Sequence, residues 1–206
     1  DCRSNDFSIN GSNGKIEILN KDIDDWKISF VDTGMHSNLG QRLKAVEKYV
    51  AGDEIFLANY SDGLSDLPLN DHIEQFRNSD AVAGVVSVRP FSTYHVVQSD
   101  KASRVTGIVG VQDSDVWVNG GFFALRPQIF DYMREGEELV MEPFQRLIAD
   151  GKLMTWKYLG FWEAMDTFKD WKNLEDMYHD GRRPWVMHSS KTDDRTDRLQ
   201  AKLRAI

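Results

Sequence analysis

The segment Ala81-Val82-Ala83-Gly84-Val85-Val86-Ser87-Val88 is nearly all apolar and small. A run of this kind reads as a strand buried on both faces, and a sheet buries both faces only when helices cover both sides. The segments around it fit that demand. Leu43, Val46 and Val50 recur at helical spacing within 41–50, as an amphipathic helix requires. Glu142 to Ala149 forms another helical stretch, closed by Asp150-Gly151, and a last one runs from about Phe168 to His179. Apolar strand-like runs lie between them at 55–60, 153–159 and 161–165. Strands alternating with helices predict an α/β fold with a mixed, mostly parallel central sheet.

The remaining elements are read in the same way. Asn10-Gly11-Ser12-Asn13-Gly14 predicts a hairpin tip ahead of Lys15 to Leu19. Trp26 to Val31 alternates apolar and polar residues before becoming apolar, which suits a strand. Asn70 or Asp71 is placed to cap a helix reaching about Asn78. Shorter strands are expected near 94–98 and 104–111, then a strand through Asn119-Gly120-Gly121-Phe122-Phe123, with Pro127 opening a helix. Residues 1–188 read as one α/β domain and 189–206 as a polar tail or marginal helix.

Bulk properties narrow the function. A length of 206 residues suits one domain with a buried core, and no apolar run approaches the ~20 residues of a membrane span. The opening residues carry no apolar stretch of a signal peptide. The single cysteine, Cys2, excludes an internal disulfide and makes a reducing cytoplasm the default. A net charge of −8 argues against nucleic acid polymers, whose binding rests on Lys and Arg. It is compatible with a nucleotide, because a bound cation brings polyphosphate to an acidic site. The histidines His36, His72, His95, His179 and His188 lack metal-ligand spacing and read as surface or structural.

Two aspartates carry the chemical signal. Asp62, in Tyr60-Ser61-Asp62-Gly63, follows one strand-like run, and Asp166, in Met165-Asp166-Thr167, follows another. Carboxylates at the carboxyl ends of strands lie where α/β sheets bind ligands. Brought together, two of them can hold Mg²⁺, which prefers carboxylate and phosphate oxygens and keeps some of its waters. Asp66 reads as a turn residue, and Glu142 is poised between helix-dipole and ligand roles.

Val31-Asp32-Thr33-Gly34, Tyr60 to Asp66, Asn119 to Phe123 and Gly160 to Thr167 occur in one order, and with Gly181-Arg182-Arg183-Pro184-Trp185 this order resembles the sugar-phosphate nucleotidyltransferases, most closely the glucose-1-phosphate cytidylyltransferases. The match runs from about Trp26 to Trp185. The resemblance implies a nucleotide-diphospho-sugar transferase, Rossmann-like fold. It also implies transfer of a nucleotidyl group from a nucleoside triphosphate, CTP, to a sugar 1-phosphate, glucose 1-phosphate, with release of pyrophosphate. The product would be an activated sugar for polysaccharide biosynthesis. Asp62 and Asp166 would then hold Mg²⁺. Thr33, Gly34, Gly40 and Asp62 would lie by the nucleotide, and Asn119, Gly120, Glu142 and Trp162 by the sugar. A homo-oligomer is a further implication.

The family's glycine-rich triphosphate loop has no counterpart here, and the chain reads as beginning after that strand-loop-helix portion. Leu39-Gly40-Gln41-Arg42 stands where the family has a Gly-Gly-Arg turn. The segment Ile108 to Asp115 lacks the lysine that the family sets beside the sugar phosphate. Lys101 and Arg104 are the nearest cations in sequence. These departures motivate an alternative, a catalytically impaired member that binds nucleotide sugar or serves as a regulatory subunit.

Overall fold

A computed structural model describes residues 7–18, 27–90 and 94–186. The chain divides between Gly34 and Met35 into two units. In the first, β1 (Phe7–Ile9) and β2 (Ile16–Ile18) pair antiparallel, with Phe7 opposite Ile18 and Ile9 opposite Ile16. The predicted hairpin tip joins them. Asn10 O accepts the Gly14 N–H at 2.8 Å, and its side chain accepts the Ser12 N–H at 3.0 Å, an Asx turn. The strand expected at Trp26–Val31 is not formed. Trp26 lies outside the described residues, and 27–31 pair with no other described strand, leaving Phe30 94% exposed. Alternation makes a strand only where a neighbour accepts its ladder.

The second unit opens with α1 (Leu39–Val50), started by a capping box in which Asn38 and Gln41 bond each other's backbone N–H. Then follow β3 (Phe56–Asn59), β4 (Gly63–Ser65), α2 (Leu69–Arg77), β5 (Ala83–Val88), β6 (His95–Ser99), β7 (Val105–Gly110), β8 (Val118–Leu125), α3 (Glu142–Ala149), β9 (Leu153–Tyr158), β10 (Trp162–Ala164) and α4 (Phe168–His179). Pro127–Tyr132 is a 3₁₀ helix with proline at its start. Helix α2 differs from expectation at its first turn. Pro68 stands at the cap position with no side-chain bond, so neither Asn70 nor Asp71 serves. The tail from Ser189 lies outside the described residues.

The central sheet has the order β3-β8-β5-β9. β8 is antiparallel to β3 and β5, and β9 is parallel to β5, so three strands run one way and β8 runs against them. On one face Phe123 and Leu125 pack with Leu43 of α1 and with Phe144 and Leu147 of α3. On the other, Ala124 meets Phe76 of α2. The double covering demanded by Ala81–Val88 is therefore present, and Ala83, Val86 and Val88 are buried. Arg126, just after β8, closes the end of α2. Its guanidinium lies 4.8 Å from the Phe76 ring and donates to the carbonyls of Arg77 and Ser79 at 3.1 Å and to that of Ala81.

Two ribbons stand apart from this sheet. β6 pairs antiparallel with β7, and β4 pairs antiparallel with β10. The second joins segments about a hundred residues apart in sequence and carries the candidate site.

Candidate active site

The ribbon sets Asp62 and Asp166 at one of its ends, on its two paired segments. Gly63 lies opposite Ala164, and the Met165 N–H donates to Asp62 O at 2.9 Å. Asp166 is therefore the next residue beyond the position facing Asp62. It is also the residue before Thr167, whose capping box with Asp170 starts α4. Asp62 is half-buried and Asp166 exposed. Among the described residues no three His, Cys, Asp or Glu side chains gather into a metal cage. Mg²⁺ takes its other ligands from phosphate and water, so two carboxylates would suffice to hold it.

The neighbouring wall comes from β8. Val85 pairs with Phe123 and Ser87 with Asn119, so β8 carries two more residues than β5 over this stretch and bulges at Gly120-Gly121. Gly121 has φ +75°, and a Cβ there would fall 2.7 Å from the Tyr60 ring. A Cβ on Gly120 would fall 3.0 Å from Val88 and 3.1 Å from Val86 O. A side chain at either glycine would therefore crowd the protein itself. The bulge is tied to its surroundings. Asn119 accepts the Gly121 N–H at 2.9 Å and donates to the Tyr60 hydroxyl at 3.2 Å, while Trp162 donates its indole N–H to Gly120 O at 2.8 Å. Trp162 belongs to β10, so ribbon and bulge form one surface.

Tyr60 reports the electrostatics. Burial raises its pKa, the Asn119 hydrogen bond opposes this, and the charges of Glu138 and Asp62 raise it further. Glu138 is therefore a carboxylate within electrostatic reach of the site that sequence reasoning missed. It sits in an irregular loop with no motif around it. Glu142, four residues later, is exposed in the first turn of α3, where its charge suits the helix dipole. Asp66 has a structural partner: the Tyr158 hydroxyl donates to its carboxylate at 2.6 Å. Burial and that carboxylate push Tyr158 up to about 12.

Beside Trp162 opens a cleft of ≈ 460 Å³. Tyr158, Phe161 and Trp162 supply aromatic walls, and Glu163 lines it while accepting from Asn173 at 2.6 Å. Flat rings beside amide and carboxylate groups suit a hydroxyl-rich ligand. Arg89 also lines this cleft. Its signal in the sequence is a charged residue immediately after a buried strand. Lys101 and Arg104 lie instead in the β6–β7 turn, and Arg104 is held by Asp100 at 2.8 Å.

Gly40 is buried at the start of α1 against the backbone of Glu137 and Leu139, which explains the glycine by packing. It also lines a second cleft, of ≈ 450 Å³, with Gln41, Lys44 and Arg134. Thr33 and Gly34 belong to the first unit, where the Gly34 N–H donates to Asp32 at 2.9 Å. His36, His95 and His179 are exposed, while His72 is buried. No helix among the described residues is long and apolar enough to cross a membrane.

No family model matches the sequence. The chain is 31% identical over 185 residues to a Bacillus subtilis (strain 168) protein named for glucose-1-phosphate cytidylyl transfer, covering 89% of this chain and 72% of that protein. It is also 31% identical over 182 residues to the glucose-1-phosphate cytidylyltransferase of Salmonella typhimurium (strain LT2), covering 87% of this chain and 70% of that one. A crystal structure from Bacillus anthracis, of a protein named for glucose-1-phosphate thymidylyl transfer and complexed with a sucrose, superposes with TM-score 0.55 at 14% identity. It covers 77% of this chain, which spans 65% of that one, and the likeness supports the mixed α/β fold alone. The sequence relationship, with the motifs in register, carries more: the chain belongs to the glucose-1-phosphate cytidylyltransferase family of sugar-phosphate nucleotidyltransferases.

Proposed function

We propose that the protein joins CTP to glucose 1-phosphate, releasing pyrophosphate and giving a cytoplasmic nucleotide sugar for polysaccharide biosynthesis. A phosphate oxygen of the sugar phosphate attacks the α-phosphorus, and the bond from that phosphorus to the oxygen it shares with the β-phosphorus breaks, so that oxygen leaves on pyrophosphate. Catalysis is then mostly positioning and charge neutralisation. Asp62 and Asp166 would hold Mg²⁺, which when bound would supply positive charge beside the phosphates. Asn119 and Gly120 line the sugar side, with Trp162 as its wall. The resemblance alone assigns Thr33, Gly34 and Gly40 to the nucleotide and Glu142 to the sugar hydroxyls. The observation that carries the reading is the β4–β10 pairing, which sets two distant aspartates at one ribbon end beside the Asn119–Gly121 bulge.

The test supplies the chain with CTP, glucose 1-phosphate and Mg²⁺ and measures pyrophosphate. Asp62→Asn and Asp166→Asn are each expected to lower turnover by at least about 10²-fold, the scale of losing one electrostatic stabiliser. Full turnover in both variants would remove the metal assignment. Binding of CDP-glucose without any pyrophosphate release would move the protein to the regulatory reading.

A further inference from the structure

Resting on that reading, we propose that Arg89, assisted by Lys157, holds the phosphate of the sugar 1-phosphate. Arg89 directly follows β5, whose last residue Val88 pairs with Val118 on one side and Tyr158 on the other. It thus stands at the carboxyl end of an inner sheet strand, where such sheets take ligands. Lys157 comes from the adjoining strand, opposite Ser87. Both cations converge on one ring: the Arg89 guanidinium is 5.2 Å and the Lys157 ammonium 4.7 Å from the Trp117 centroid.

Neither cation pairs with a carboxylate among the described residues. This is notable in a chain of net charge −8, where Lys44, Arg104, Arg146, Lys152 and Arg182 have each found one. The indole attracts both charges without neutralising either. Among the described residues the guanidinium gives one hydrogen bond, 3.0 Å to Gln112 O, which leaves its other donors for a ligand. Gln112 lies in the Ile108–Asp115 segment, which contains no basic residue of its own. The cleft beside Trp162 has two arginines in its lining, and Arg182 is bound to Asp180 at 2.9 Å. Arg89 is therefore the cleft cation with charge to offer. Two adjacent cations with free donors match a dianionic phosphate monoester, and the planar guanidinium can engage two of its oxygens.

Calorimetry on the folded full chain decides the matter, with glucose 1-phosphate and glucose as ligands and Mg²⁺ present. Arg89→Ala is expected to weaken glucose 1-phosphate by at least about tenfold and Lys157→Ala by about threefold, on the scale of charge-assisted hydrogen bonds. Affinity for glucose should stay unchanged in both, and Arg89→Lys should recover part of the loss. Equal affinity for glucose 1-phosphate in wild type and Arg89→Ala overturns the assignment and leaves nucleotidyl transfer standing. Parallel loss of both ligands overturns it too, by marking Arg89 as a prop for Trp117. If Arg89→Ala does not fold, undiminished binding by both Arg89→Lys and Lys157→Ala is the refuting result. A wild type that ignores glucose 1-phosphate fails the functional reading itself, a result distinct from failure of Arg89 alone.

Discussion

His72 on α2 is 1% exposed, stacks on Trp156 at a 5.1 Å centroid distance, and has no hydrogen-bond partner on either ring nitrogen among the described residues. Burial lowers its pKa, because the charged ring cannot be solvated there. The unfolded chain titrates this group near about 6.5. Between that value and the lower folded one, the unfolded state binds the proton and the folded state does not, so stability rises with pH across the window. The contribution is complete above the unfolded pKa and is lost as pH falls toward the folded one. Urea midpoints at neutral and mildly acidic pH should therefore fall on acidification, and less so in His72→Phe, which keeps a ring on Trp156. Identical slopes in the two proteins would refute this. The sequence offered the histidine but not its depth. His72 and Phe76 lie one turn apart on the stripe that α2 turns to the sheet, and a polar residue on such a stripe has no signature of its own.

At the scale of elements, Arg126 does for α2 what no cap in the sequence does. Its guanidinium gathers carbonyls of residues 77, 79 and 81 and covers the Phe76 ring. Arg126→Met keeps most of the apolar stem but strands those carbonyls. It should cost about 1.5–3 kcal/mol, the range for charged hydrogen bonds, read as a lower urea midpoint with unchanged slope. A loss within experimental error would show that water replaces the guanidinium. Elements with local signals were legible in the sequence. Helix α4 spans Phe168–His179 as expected, and β5 lies inside Ala81–Val88. The strand expected at Trp26–Val31 was not, since its alternation had no described partner to pair with. The β4–β10 ribbon was only half legible: each three-residue strand could be located, but their pairing is a tertiary fact.

On the scale of the whole molecule, stability and ligand binding are linked. An ion that binds the folded state at Asp62 and Asp166 and ignores the unfolded chain must raise the melting temperature. At a hundred times its dissociation constant the gain is about 2.7 kcal/mol, or several degrees for a chain of this size. Mg²⁺ should therefore shift the midpoint of the wild type and leave the Asp62→Asn/Asp166→Asn double variant unmoved. An equal shift in both would place the ion elsewhere. The same architecture makes the site late in the life of the chain. As translation proceeds, residue 62 emerges with its strand about a hundred positions before Met165 arrives to bond its carbonyl. The helices and apolar strands between them can collapse first, so chemical competence is conferred by the last ribbon to close, after most of the core already exists.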